Sequence, residues 1–398
     1  MLLATNRVQV AIDATALQTG HRHRGIGSYT AGLIDAITGL PHPEPLALLV
    51  QPPQSTDLPI LSDLVARSGI KVIPLHKPRW RRDRLQWLIN LPVFKEALYH
   101  YRPRIYHALE YNGLVLARGV TIIATLHDLI PLHDPAAHFP MQWIDQRAGY
   151  ARYLHALQRV DCILADSEFT RREAVERLHI PPERIVTIPL AVDESLFYSR
   201  DQEEIADVAA RYDVRRPYFL HISSNVGPSD NNKNTKNILR AFNLFCLDGG
   251  HDHNLYIIGK WSSSALAEVR TSYAKLLDGE RLRVLGFVPF GDLAALYSGA
   301  EALIYPSLLE GFGLPVLEAM RCGTPVLTSM TSSLPEVAGD AALLVNPYSV
   351  EEILSGMQQL AWDSALRAEL VTRGLRQAGQ FTFRRTAEAT LRVYREYL

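Results

Sequence analysis

Two glutamates stand eight positions apart in EGFGLPVLEAM (residues 310–320), at Glu310 and Glu318. Between them lie Gly311, Phe312, Gly313, Leu314 and Pro315, with no positive charge. The stretch follows the apolar run ALIYPS (302–307), which reads as a strand. Pro315 suits the first position of a helix, and Gly323 the residue after its C-cap. The glycine turn therefore delivers backbone N–H groups at a helix start, where unpaired donors and about half a positive charge hold an anion. A diphosphate fits such a cradle, and glycines let the main chain approach it closely. Carboxylates beside a phosphate repel it unless they face its neighbours, and the hydroxyls of sugars on either side of a diphosphate are suitable partners. A nucleotide sugar meets every one of these demands. The plainer reading is an ordinary strand–loop–helix with Glu318 in the first turn, favouring the helix dipole.

Other residues with chemical capacity are more ambiguous alone. His127 ends an apolar strand and precedes Asp128, which by itself reads as a satisfied near-core position; His107 reads the same way. RGIGSYT (24–30) has the form G-x-G-x-x-Thr, without a third glycine, and about ten residues separate it from the end of the first strand, so a dinucleotide fingerprint is not met. Gly25 and Gly27 read instead as a loop approaching a donor diphosphate or an acceptor, or as a plain helix start. No Asp-x-Asp occurs, and HRH (21–23) and HDH (251–253) lack further ligands at metal spacing, so no metal and no cofactor are expected. KPRWRRDRLQWLINLPVF (77–94) mixes basic residues with Trp80 and Trp87. It reads either as a helix with an apolar inner face and solvated arginines, or as a basic amphipathic face for anionic lipids or a lipid-diphosphate acceptor.

The elements that must position these groups alternate along the chain. RVQVAIDAT (7–15), LALLV (46–50), IKVIPL (70–75), IYHAL (105–109), VTIIATLHD (120–128) and DCILADS (161–167) read as strands. IGSYTAGLIDAITGL (26–40) and FTRREAVERL (169–178) read as helices, the latter with Ser167 as N-cap. Charged residues 193–216 have little β character and read as a linker. The alternation restarts at PYFLHIS (217–223) and continues through KNILRAFNLF, NLYIIGK and EALIYPS. Two βα halves of similar size predict two doubly wound α/β domains, with chemistry at the strand-to-helix loops.

Bulk properties agree with a two-domain globular enzyme. The chain has 398 residues, 47% apolar and 21% charged, with net charge −1, so no nucleic-acid partner is expected. Three scattered cysteines, Cys162, Cys246 and Cys322, suit small buried positions in a reducing cytosol. No apolar run approaches the ~18 residues of a membrane span, and no secretory leader is visible.

YPSLLEGFGLPVLEAMRCGTPV (305–326), with GIGSYT (25–30), HDLIPLHDP (127–135), ADSEFTRREAV (165–175), KNILRAF (236–242) and SSLPEVAGDAALLVNP (332–347), resembles the GT-B retaining glycosyltransferases of family 4. The order resembles their bacterial polysaccharide and O-antigen mannosyltransferase branch. FTFRRTAEATLRVYREYL (381–398) is similar to the terminal helix that returns to the first domain in that family. The resemblance implies two Rossmann-like domains facing across a cleft: an acceptor domain over 1–193 with the returning helix 384–398, and a donor domain over 194–383. It implies that Glu318 binds the nucleotide ribose and Glu310 the transferred sugar. The amides of Gly313 and Leu314 meet donor oxygens, and His127 contacts the donor sugar. Lys236, before Asn237, matches the family's phosphate lysine; the family's arginine is absent, and Lys233 and Lys260 are its substitutes, although Lys233 alone reads as a surface residue.

The expected activity is transfer of a hexose, mannose first, from GDP-mannose or a UDP-sugar to a glycan or lipid-linked acceptor in cell-surface polysaccharide synthesis. The expected place is the cytoplasm, with peripheral contact at the inner membrane face through 77–94. The rival readings are a UDP-hexose-dependent glucosyl- or N-acetylglucosaminyl-type transferase, a nucleotide-sugar-binding protein without turnover, and an NAD-dependent oxidoreductase, which the missing third glycine disfavours.

Overall fold

The structure is a computed structural model that describes residues 8–18, 25–40, 45–51, 62–63, 65–66, 70–75, 86–135, 144–223, 232–249 and 252–398. The chain forms two compact units, residues 1–191 with 382–398, and residues 192–381.

In the first unit the strands are β1 (Val10–Asp13), β2 (Leu46–Val50), β3 (Lys71–Pro74), β4 (Ile105–Ala108), β5 (Thr121–Leu126), β6 (Cys162–Ala165) and β7 (Ile185–Thr187). They pair in parallel in the order β3-β2-β1-β4-β5-β6-β7. The helices are α1 (Gly25–Gly39), α2 (Gln86–Tyr101), α3 (Ile144–Leu157) and α4 (Glu168–Leu178). Strands β1, β2, β4 and β6 are buried at every position, whereas edge strand β3 exposes Lys71 and Pro74. Continuous apolar runs are what a parallel sheet covered on both faces requires. Ser167 caps α4 by accepting the Thr170 amide at 3.0 Å, as the sequence predicts.

The second unit contains α5 (Gln202–Arg211), β8 (Tyr218–Ile222), α6 (Thr235–Leu247), β9 (Asn254–Ile258), α7 (Ser263–Asp278), β10 (Leu282–Gly286), α8 (Phe290–Gly299) and β11 (Ala302–Tyr305). It continues with α9 (Leu314–Arg321), β12 (Val326–Ser329), α10 (Leu334–Ala338), β13 (Leu343–Val345), α11 (Val350–Trp362) and α12 (Ser364–Ala378). Its strands are also parallel, in the order β10-β9-β8-β11-β12-β13. Helix α5 corrects the reading of 193–216 as linker. Asp201 caps it by accepting the amides of Glu203 and Glu204, and Ile205 and Val208 are its buried pair against α8. Only two apolar side chains carry that face, so the surrounding charge conceals it in the sequence.

The last helix, α13 (Phe383–Tyr397), belongs to the first unit and packs on α1. Ala387, Thr390, Leu391 and Tyr394 form its buried stripe at helical spacing. The Phe383 ring lies on Gly32, where a Cβ would stand 2.3 Å from its Cζ. Thr386 donates to the Pro189 carbonyl at 2.9 Å. The three cysteines are free and buried, and burial pushes each thiol above its ordinary value. Among the described residues no helix is long and apolar enough to cross a membrane.

Candidate active site

Strands β8 and β11 lie side by side although two strands separate them in sequence, and the strand order reverses at that point. Ligands in doubly wound sheets bind beyond the carboxyl ends of the strands at such a reversal. The loop after β11 carries Glu310, and the loop after β8 carries Lys233. Lys233 Nζ donates to Glu310 Oε1 at 2.7 Å and to the Tyr305 hydroxyl at 2.6 Å. Tyr305 and Ser307 donate to the same carboxylate oxygen at 2.9 and 2.6 Å. Glu310 is 8% exposed, so a carboxylate nearly withdrawn from water is held by one cation and two hydroxyls. Burial works against the Lys233 charge, but Glu310 and Tyr305 outweigh it and hold the ammonium above its ordinary range.

The frame of this cluster is built from the chain on both sides. Asn234, with φ 58°, caps α6 and donates through Nδ2 to the carbonyls of Pro306 and Pro347 at 2.9 and 2.6 Å. That buried amide fixes the neighbouring Lys233. On the other side, Ser332 Oγ accepts the Glu310 amide at 3.2 Å, and Ser333 Oγ reaches the carbonyls of Glu310 and Phe312 at 3.0 and 2.6 Å. Gly313, at φ 121°, is the N-cap of α9; a Cβ there would lie 2.6 Å from Leu334 Cδ2. Pro315 therefore takes the second helical position rather than the first, and Glu318 lies in the second turn, not the first as the spacing predicts. Glu318 Oε2 accepts from the Tyr297 hydroxyl at 3.0 Å. Burial pushes its carboxyl up to about 7, against the pull of that bond and of Lys233.

Of the three candidate lysines, Lys233 is the one that meets Glu310. Lys233, which reads as a surface residue in the sequence, is the cation on Glu310, because the Asn234 cap turns it inward. Lys236 lies on the first turn of α6 with an exposed side chain, and Lys260 is exposed after β9; neither bonds to Glu310. Gly311, Phe312, Gly313 and Leu314 form the turn ahead of α9 as expected, with Phe312 edge-on to Phe381 at 5.8 Å. Tyr305, Ser307, Ser332, Ser333 and Tyr297 were not singled out from the sequence. Tyr305 and Ser307 stand five and three residues before Glu310, and their hydroxyls are the one signal available there.

In the first unit, His127 follows β5. Its Nδ1 lies 2.6 Å from Asp166 Oδ2 and its Nε2 2.9 Å from the Leu109 carbonyl. The Leu109 carbonyl only accepts, so Nε2 carries a proton, and a second proton lies between Nδ1 and the Asp166 carboxyl, which burial pushes upward. Burial lowers its pKa, but Asp166 prevails and the net shift is upward. His127 is therefore held in place with both ring nitrogens engaged and no lone pair free to act as a base. Tyr29 of α1 packs edge-on against it at 5.4 Å. Gly25 opens α1 and Gly27 is buried in its first turn. His107 is structural: its Nδ1 lies 2.6 Å from the Tyr394 hydroxyl and its Nε2 2.8 Å from Thr125 Oγ1, and burial lowers its pKa to about 3.

Residues 77–85 of the basic stretch, the HRH run at 21–23, His251, and residues 224–231 of the loop ahead of Lys233 lie outside the described residues, as do the side chains of 86–90. Among the described residues no group of three or more His, Cys, Asp or Glu side chains is placed to hold a metal ion.

Residues 221–377 match the family described as Glycosyl transferases group 1, and residues 49–196 match Glycosyltransferase Family 4. The O-antigen chain mannosyltransferase B of Escherichia coli is 34% identical over 307 residues, covering 75% of this chain and 76% of that protein. The serotype-specific mannosyltransferase WbdA of Escherichia coli is 29% identical over 73% of this chain, which spans 36% of WbdA. Among solved structures, Anabaena HepE in complex with UDP and glucose superposes with a TM-score of 0.72 at 16% identity, covering 97% of this chain and 99% of that one. The two parallel Rossmann-like sheets are thus those of the GT-B fold, and the chain belongs to family 4 of the glycosyltransferases.

Proposed function

We propose that the chain is a retaining hexosyltransferase that moves mannose from GDP-mannose to a glycan or lipid-linked acceptor in cell-surface polysaccharide assembly. The mannosyl assignment draws on the two Escherichia coli relatives, both mannosyltransferases. The observation that carries the reading is the Lys233–Glu310 pair ahead of the Gly313-capped start of α9. The leaving diphosphate gains charge as the glycosidic bond breaks, and preorganised donors stabilise it where that charge develops. Lys233 has three N–H donors, so it keeps Glu310 in place while a third bond reaches a phosphate oxygen. The first amides of α9, which have no partner within the helix, supply further donors.

In this reading Glu310 receives hydroxyls of the transferred sugar, and Glu318 those of the nucleotide ribose. His127 contributes the positive charge that its raised pKa favours rather than a hydrogen bond, since Asp166 and the Leu109 carbonyl already engage both ring nitrogens. Lys236, Lys260, Gly25 and Gly27 fill at most outer contacts. The acceptor oxygen bonds to the anomeric carbon on the face from which the phosphate leaves, and its proton passes to the departing phosphate oxygen. Lys233 and α9 carry the charge that a divalent ion supplies elsewhere, so transfer proceeds without metal. Residues 77–94 give a peripheral contact with anionic lipid.

The test is initial rate with GDP-mannose and with UDP-hexoses in metal-stripped buffer with EDTA, with the anomeric configuration of the product read by NMR. Retained configuration, preference for GDP-mannose and insensitivity to chelator are the expected results. An inverted product, a UDP-sugar preference, or a rate restored only by Mg²⁺ or Mn²⁺ overturns the corresponding part.

A further inference from the structure

The first unit has its own strand reversal, between β1 and β4, and a second pair of acidic side chains sits there. Asp13 is the last residue of β1 and is wholly buried; Glu110 lies two residues beyond β4 and is 4% exposed. Thr15 touches both. Its amide and hydroxyl lie 2.9 and 2.7 Å from Asp13 Oδ1, and its hydroxyl is 3.5 Å from Glu110 Oε1. The other oxygen of each carboxyl, Asp13 Oδ2 and Glu110 Oε2, is buried without a hydrogen-bond partner among the described residues. Asp13 Oδ2 is pressed onto Gly113, where a Cβ would stand 1.9 Å away.

Two carboxylates cannot both stay ionised in such a place, since burial and mutual repulsion act together against the second charge. One proton on the pair removes that charge. The pair also touches the proposed catalytic machinery through the main chain, because the carbonyl that accepts from His127 Nε2 is that of Leu109, the residue before Glu110.

We propose that Asp13 and Glu110 hold one proton in common, and that this protonated pair is a positioning device that keeps the Leu109 carbonyl on His127. The part concerning turnover rests on the function proposed above; the shared proton does not. The charged and titratable groups facing the pair are His127 from the segment after β5, Tyr106 on β4 and Tyr111 in the loop after it. His127 in turn faces Asp166 and Asp128. Burial, then Asp13, pushes the Glu110 carboxyl up to about 8, while His127 and Thr15 pull it down. Burial raises Asp13 to about 6 against its bonds from Thr15. Tyr106 is held far above the range in which it ionises, so it takes no part.

The sign follows from the raised values. A carboxyl whose folded pKa exceeds its unfolded value stabilises the fold fully below the unfolded value, and that stability is lost as pH rises through the folded one. For Glu110 the window runs from about 4.5 to about 8. Glu110→Gln keeps the shape and the donor and cannot ionise. Its denaturation midpoint is expected to gain on wild type steadily from pH 5 to pH 8 and to hold that gain above. In the transfer assay the wild-type rate is expected to fall on the alkaline side with an apparent pKa near 8. Glu110→Gln should keep the rate and lose that limb, and Glu110→Ala should lose rate at every pH. Parallel stability profiles for Glu110→Gln and wild type overturn the shared proton, whatever the transfer assay shows. Stabilisation of wild type, but not of Glu110→Gln, by added Na⁺ or Mg²⁺ also overturns it, in favour of a bound cation. Distinct stability profiles with unchanged alkaline limbs overturn the link to His127 alone.

Discussion

Replacing Lys233 by Met separates the cation's structural work from its work on the substrate. The side chain makes two bonds, to Glu310 Oε1 at 2.7 Å and Tyr305 at 2.6 Å, and it is 20% exposed against 10% for its partner carboxylate. A charged hydrogen bond contributes about 1.5–3 kcal/mol and a neutral one about 0.5–1.5 kcal/mol. Breaking a fully buried ion pair costs about 3–5 kcal/mol, because the remaining charge is left uncompensated. Here Tyr305 and Ser307 remain on Glu310, so the expected loss is about 2–3 kcal/mol, between the single charged bond and the stranded charge. Urea denaturation without ligand measures it. In a Glu310→Gln background the same substitution should cost far less, since the partner charge is already gone. The transfer rate should fall by about 10²-fold or more, the size of losing one preorganised donor on developing charge. Lys236→Ala should stay within about 0.5 kcal/mol of wild type, as exposed side chains do. A Lys233→Met protein that unfolds with wild-type and turns over at the wild-type rate refutes the reasoning. So does a larger rate loss from Lys236→Ala.

Glu318→Ala should raise the donor KM by roughly 10- to 100-fold, the worth of one or two hydroxyl bonds to a charged group, with a smaller change in kcat; unchanged donor affinity, by titration calorimetry with the nucleoside diphosphate, counts against it. Gly113→Ala puts a methyl carbon 1.9 Å from Asp13 Oδ2 and should destabilise the protein by about 1–3 kcal/mol in urea, whereas wild-type stability would mean the Asp13 carboxylate has room to move. Burial lowers His107 to about 3 and His221 to about 4, so their contribution is present above the unfolded value of 6.5 and is lost as pH falls toward those numbers. Denaturation midpoints should therefore drop below pH 6, less steeply in a His221→Gln variant. Tyr394→Phe strands His107 Nδ1 and should cost about 1–2 kcal/mol, measured by thermal unfolding.

Much of the fold is legible because its strands are of the kind that parallel sheets impose. VAID, CILA and ALIY are apolar at nearly every position, since both faces of each strand are covered, and such runs stand out between amphipathic stretches. Helix α5 was illegible for the opposite reason: two buried side chains among charged ones give too little periodicity. The start of α9 was legible to within a residue, because Pro315 and the glycines mark it, but not which turn Glu318 occupies. That depends on Gly313 serving as the cap, and the cap depends on its fit against Leu334, twenty-one residues on.

The candidate site was legible only in part, because strand order is a property of the sheet rather than of any local stretch. Glu310 was visible within its own motif. Its lysine was visible only as one of three candidates: Lys233 and Lys236 are three residues apart in the same loop-to-helix passage, and what distinguishes them is a buried Asn234 bonded to two prolyl carbonyls far along the chain. Asp13 and Glu110 carry no local signal, and they come together because β1 and β4 are adjacent in the sheet although two strands separate them in sequence. The two sheets place these pairs alike, each at or just beyond the carboxyl ends of the two strands at the reversal: β8 and β11 in one unit, β1 and β4 in the other. The chemistry then differs by one side chain. Opposite a carboxylate the second unit sets an ammonium, which stays charged at neutral pH and has a donor to give to a phosphate oxygen. The first unit sets another carboxyl, which forces a proton into the pair and brings its titration within the working range of an enzyme. One topology thus yields a fixed charge in one sheet and a pH-dependent one in the other, and the pH profile of Glu110→Gln distinguishes the two kinds of site.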